Sequence, residues 1–167
     1  MFINDPTAYP SVKNANVFTM TVQKDINNLI KEVLEKGYLL SLATQDDGGI
    51  WMCDVIYVHD ENLNIYWMSD PDVRHSKAIL ENPIVAGTIT VSGPGQDNLG
   101  IQFSGVAEKI EGPRHDLAQK HFSKRNKPEP QKSDDVLQGD SWYILKPTMI
   151  DLTYEKMFGF EKQKLEL

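Results

Sequence analysis

The chain has little cysteine, no excess of positive charge, no long apolar run and none of the common catalytic signatures, and each absence narrows what it can do. One cysteine in 167 residues, Cys53, cannot close an internal disulfide. The opening "MFINDPTAYP" carries an acid at position 5 and two prolines but no apolar stretch, so it does not read as a secretion signal. A cytoplasmic location is the expectation. Lys and Arg number 17 against 24 Asp and Glu, giving a net charge of −7 and a pI near 5.0. Such a balance offers no electrostatic footprint for a nucleic-acid backbone. No apolar run approaches the roughly 18 residues of a membrane-spanning helix, so neither nucleic acid nor membrane is expected as a partner. CxxC, HExxH, GxSxG and a Walker-type phosphate loop are all missing, which removes the common zinc sites and the serine-hydrolase elbow. No metal site is expected. Of the four histidines, His115 and His121 lie six apart on a predicted helix, and both read as surface residues.

What is present describes one domain. The length suits a single hydrophobic core, with residues 1–20 as an extended lead-in and 21–167 as the folded unit. "TVQKDINNLIKEVLEKG" sets Val22, Ile26, Leu29, Ile30, Val33 and Leu34 on one helical stripe, with Thr21 as a cap and Gly37 as a stop. Three strand-like runs follow at 38–44, 49–58 and 63–69, joined by the turn clusters "QDDGG" and "HDEN". A short helix then ends at Asn82-Pro83. Runs at 84–93 and 100–112 read as strands around "GPGQDN", which opens no helix and so reads as a hairpin. A proline-first helix spans 113–124, a polar loop follows, and "SWYILKPTMIDLTYE" reads as a last strand pair interrupted at Pro147. The sum is an α+β fold: a six- to seven-stranded antiparallel barrel with two or three covering helices.

One stretch gathers chemistry. In "YWMSDPDVRHSKAILENP", residues 66–83, a strand ends at Ser69 and a helix begins a few residues later. With Asp70 or Asp72 as helix cap, the first turn would present free N–H groups and their partial positive charge. Arg74 adds a planar fork suited to two phosphate oxygens, Lys77 shares its face, and Ser69 offers a hydroxyl. The turn is either a monophosphate cradle or a solvated face on which Asp70 and Asp72 pair with Arg74 and Lys77.

"GIWMCDVIYVHDENLNIYWMSDPDVRHSKAILENPIVAGTI" followed by "GIQFSGVAEKIEG" resembles the FMN-binding split-barrel proteins related to pyridoxamine 5′-phosphate oxidase, in particular their short general-stress-like members. The resemblance runs over roughly residues 22–161 and rests on the order and spacing of its anchors: an aromatic third strand closing in Ser, an Arg five residues on, Asn-Pro at the helix end, and a "G-x-A-E" strand. It implies an FMN-dependent oxidoreductase, a homodimer with cofactor at the subunit interface, and phosphate contacts from Ser69, Arg74 and His75. Histidine replaces the Lys frequent in relatives, and Lys77 is the alternative charge. Cys53, Asp54, Val55 and Ile56 match the strand that lies along the flavin ring. Gln102 either bonds the ring's polar edge or faces out from the barrel. Trp142, Tyr143, Phe158 and Phe160 are core or dimer aromatics, with "MFGF" a possible reach toward the cofactor. The basic C-terminal motif of the biosynthetic oxidase has no counterpart in "MFGFEKQKLEL", so vitamin B6 oxidation is not implied. The alternatives are a non-enzymatic flavin-binding or stress-related protein, and a haem-binding one with His59 or His75 as axial ligand.

Overall fold

The computed structural model describes residues 25–167; the lead-in, Thr21 and Val22 lie outside them. Helix α1 (described over 25–36) buries Ile26, Ile30, Val33 and Leu34 on the expected stripe. It stops at Gly37, whose N–H reaches the Val33 carbonyl at 2.8 Å. A side chain at that position would run into Ile89 and the Tyr57 hydroxyl, so the close approach requires glycine. Strands β1 (Leu39–Asp46), β2 (Gly49–His59) and β3 (Ile65–Ser69) form the meander, then helix α2 (Arg74–Glu81) leads to β4 (Ile84–Thr90) and β5 (Leu99–Ile110). Helix α3 (His115–Lys124), β6 (Ser141–Tyr154), the single turn α4 (Glu155–Phe158) and β7 (Gln163–Glu166) complete the described chain. Four helices thus replace the two or three expected, because the turn after β6 is long enough to close one helical turn. Among the described residues, no helix is long and apolar enough to cross a membrane.

All pairings are antiparallel in the order β3-β2-β1-β4-β5-β6-β7, and a further β3–β6 pairing closes six strands into a barrel. Strand β6 makes this possible by its length of 14 residues. Its first part pairs with β3 and its later part with β7, while β5 runs along its other edge. The expected break at Pro147 does not occur. Pro147 sits opposite Gly105 where the register slips, so that Thr148 is the extra residue of a bulge. A bulge tolerates the N–H that proline lacks. Gly105 is needed there because a Cβ would stand 2.8 Å from Pro147 Cα.

The alternation of β6 feeds two cores. Tyr143 points into the barrel and stacks on Trp67 at 5.6 Å between centroids, among Leu40, Leu42, Ile89 and Phe103. Its neighbour Trp142 points outward into a second cluster with Val58, Tyr66, Leu117, Ala118 and Ile144 beneath α3. Both aromatics are core residues, as the strand period of two dictates. His121 is not the surface residue expected: it is 3% exposed and meets Trp142 edge-on at 5.6 Å. It follows Leu117 and Ala118 by four and three positions, which puts it on their buried face. His115 is half-buried rather than free.

Candidate functional site

The β3–α2 turn and the β1–β2 hairpin meet at one mouth of the barrel. Ser69 ends β3 with its hydroxyl 2.9 Å from His75 Nε2. Arg74 opens α2 and reaches across to the hairpin, donating from Nε and Nη2 to the two Asp46 oxygens at 2.7 and 2.8 Å. Its guanidinium lies 4.6 Å above the Trp51 ring. That geometry is a fork-to-fork ion pair stacked on an aromatic face. It holds the Asp46 carboxyl below its ordinary range and the guanidinium above its own. Burial pushes the His75 imidazole down, so the ring is neutral at pH 7.

The helix start differs from expectation. Neither Asp70 nor Asp72 caps α2; Val73 occupies the N-cap position and no side chain bonds the first-turn N–H groups. The Asp70 carboxylate instead accepts the Asp72 N–H at 2.7 Å, closing a local turn that consumes it. Asp72 pairs with Lys77 at 3.4 Å. Lys77 is therefore held by a local acid with most of its side chain in solvent, while Arg74 has left the local acids for one 28 residues earlier. The groups that the fold gathers at this turn are Ser69, Arg74, His75 and the uncapped N-terminus of α2.

Pleating divides the β2 candidates into two pairs. Cys53 and Val55 face the barrel interior, where they pack against its core; burial, helped by the neighbouring Asp54 charge, pushes the Cys53 thiol up to about 11. Asp54 and Ile56 face outward with Ile50 and Met52. Asp54 accepts a hydrogen bond from Ser41 Oγ at 2.6 Å. Register places Asp54, Ser41, Thr88 and Gln102 in one row across β2, β1, β4 and β5. Gln102 faces outward between the buried Ile101 and Phe103 and bonds Lys162. The adjacent row reads Met52, Ala43, Ala86 and Ser104, small residues that keep this outer face low. Apolar side chains rim it: Ile50 is 76% exposed, Met52 59% and Ile84 61%. Phe158 is half-buried against the barrel core, and Phe160 stands free in solvent.

Asp46, Trp51, Ser41 and Thr88 were not among the sequence candidates. The first two belong to the hairpin "TQDDGGIW", and only the barrel register brings that turn beside α2. A signal did exist, since Gly48 and Gly49 mark a tight hairpin whose acid must face a neighbour.

Comparison with known proteins agrees with this architecture. No family model matches the chain. It is 28% identical over 102 residues to the UPF0306 protein YhbP of Escherichia fergusonii, covering 58% of this chain and 67% of that one. Among solved structures it resembles General Stress Protein 26 of Bacillus anthracis, with a TM-score of 0.64 at 16% identity over 85% of this chain and 98% of that one. An F420 reductase matches with a TM-score of 0.57 at 18% identity over 72% and 94% of the two chains. A heme-binding protein of Mycobacterium smegmatis matches with a TM-score of 0.64 at 14% identity over 84% and 57%. The fold is that of the split-barrel proteins related to pyridoxamine 5′-phosphate oxidase.

Proposed function

We propose that the chain is an FMN-dependent oxidoreductase that works as a homodimer, with the flavin phosphate held at the α2 mouth. The observation that carries this reading is an uncapped helix N-terminus ringed by Ser69, His75 and Arg74. These donors suit a phosphate. The guanidinium has five N–H donors, and the two given to Asp46 leave three for an anion. Asp46 thus fixes the plane of the fork without exhausting it. Free N–H groups of the first turn add a partial positive charge of about half a unit. Ser69 can turn its hydroxyl proton toward an incoming oxygen while His75 donates from Nε2.

The flavin would supply the hydride or electron chemistry itself. This chain's residues would bind and orient it. Asp54, Thr88 and Gln102 line the outer face with polar groups, and Met52 with Ala43 and Ala86 offers a low apolar surface beside them. A second copy covering that face would bury Ile50, Met52 and Ile84 and exclude water; obligate interfaces of this kind bury about 2,000 Å² or more. General Stress Protein 26 and the F420 reductase share the fold, which supports the reading at the level of architecture.

The absorption spectrum and a pair of titrations test it. Flavin bands in the purified protein, and FMN binding far tighter than riboflavin, are the expected results. Equal affinity for both would remove the phosphate site. Sedimentation at micromolar concentration should give a dimer, and a monomer would undercut the covered face. A cofactor-free or haem-binding role is the second reading, favoured by the ion pair that Arg74 already makes. A Soret band would establish haem. Of the two imidazoles considered for it, His59 is tied to Glu35 at 3.1 Å and His75 to Ser69.

A further inference from the structure

At the other end of β2 from the hairpin lies a cavity of about 330 Å³, lined by Glu35, His59, Glu61, Lys120, Ser123 and Lys124. Ten residues of strand separate His59 from Gly49, roughly 30 Å at the usual rise. The cavity belongs to α1, the end of β2 and α3, and shares no residue with the phosphate cradle.

Lys124 is the unusual member. Its ammonium lies 3.8 Å from the centroid of the Tyr57 ring, and among the described residues no carboxylate comes within ion-pair distance. The acids nearby are engaged elsewhere: Glu35 with His59 at 3.1 Å, and Glu61 with Lys31 at 2.6 Å. Lys120, one turn earlier on the same face of α3, donates weakly to the His59 carbonyl at 3.4 Å. Tyr57 is fixed beneath by its hydroxyl, which donates to the Leu34 carbonyl at 2.7 Å. A half-buried amine lining a cavity, with no carboxylate in ion-pair contact, is a setting in which lysine becomes a nucleophile.

We propose that Lys124 captures a small carbonyl compound bearing an acid group, such as an aldehyde or 2-oxo acid, as an imine in this cavity. The amine lone pair forms the C–N bond while the carbonyl π pair becomes a hydroxyl. Nitrogen then loses protons as oxygen gains them, and water leaves. No oxidant or reductant is needed. His59 is the acid–base group at hand for the proton, and Lys120 is the cation for the ligand's carboxylate. Burial holds the Lys124 amine down at about 8, opposed only by the Glu35 charge, so free amine is available near neutral pH. The other groups facing it are His59 and Glu61 from the β2 end and Lys120 from α3.

The test treats the intact protein with glyoxylate and sodium cyanoborohydride, reading carboxymethylation at each lysine by peptide mass spectrometry. Lys124 should react roughly tenfold faster than Lys120 or Lys127 at pH 7.5, because burial favours its neutral, nucleophilic form. Its rate should saturate with glyoxylate where surface lysines stay linear. Glu35→Gln should speed Lys124 at pH 7 by removing the charge that opposes deprotonation. Lys120→Ala should raise the half-saturating glyoxylate concentration and leave that of acetaldehyde unchanged. Both changed residues are exposed, so folding is not at issue. A linear rate at Lys124 no faster than its neighbours would overturn the proposal, and equal effects of Lys120→Ala on both aldehydes would overturn its acid-bearing ligand.

Discussion

The two helices that cover the barrel treat charge in opposite ways. At the α2 mouth each cationic or basic group has a partner: Arg74 with Asp46, Lys77 with Asp72, His75 with Ser69. Under α3, His121 is buried against Trp142 and Lys124 is half-buried over Tyr57, with no carboxylate in ion-pair contact among the described residues. The first arrangement keeps cations charged and placed, ready to share their donors with an anion. The second suppresses charge, pulling His121 down to about 4 and Lys124 to about 8 by burial. Oriented charge suits recognition, and suppressed charge suits proton transfer and nucleophilic chemistry.

The largest effect that would break this contrast is at Arg74. Arg74→Ala should weaken FMN binding by roughly tenfold or more, because a charge-assisted contact to the phosphate is lost. Riboflavin, which lacks the phosphate, should bind the variant and the wild type alike. Calorimetric titration of both flavins measures it. Equal losses, or none, would make Arg74 a structural pin for the hairpin, a part-exposed pair whose removal changes stability little.

His121 sharpens the other side. Its folded pKa lies below that of an unfolded histidine, so the unfolded chain binds the extra proton first. Its contribution is complete above about pH 6.5 and is lost as pH falls toward about 4, up to about 3 kcal/mol in all. Urea unfolding between pH 7 and 4 should show the slope, and His121→Phe, which keeps an aromatic ring beside Trp142, should flatten it. A slope unchanged in the variant would assign the acid sensitivity to other groups.

A smaller effect falls on His75, which joins the two behaviours by being depressed by burial yet placed beside the cradle. An approaching phosphate favours its protonated form, so FMN affinity should rise as pH falls below 7, by at most tenfold per unit. The phosphate titrates in the same range. The informative quantity is therefore the difference from His75→Lys, whose charge is constant. Identical profiles in wild type and variant would leave the holding to Arg74 and the helix end.

The strands and the hairpins were legible from short-range pattern. The i, i+4 stripe docked α1. Misreadings arose where a residue's partner was distant in sequence. Pro147 read as a strand break because its bulge partner Gly105 lies on another strand. His121 read as surface because the wall it meets, Trp142, comes 21 residues later. The local pattern offers Arg74 either an anion or the neighbouring Asp70 and Asp72, and the barrel gives it Asp46.

The sequence by itself determined which residues could meet an anion and which faces would be apolar, because those follow from residue chemistry and from periods of two and 3.6 that are local to each element. Tertiary structure decided which of the cations are held by a carboxylate and which basic groups burial shifts toward their neutral form. That choice depends on barrel closure by β6, which sets the register of strands far apart in the chain, and on burial, a property of the assembled molecule that no single segment carries.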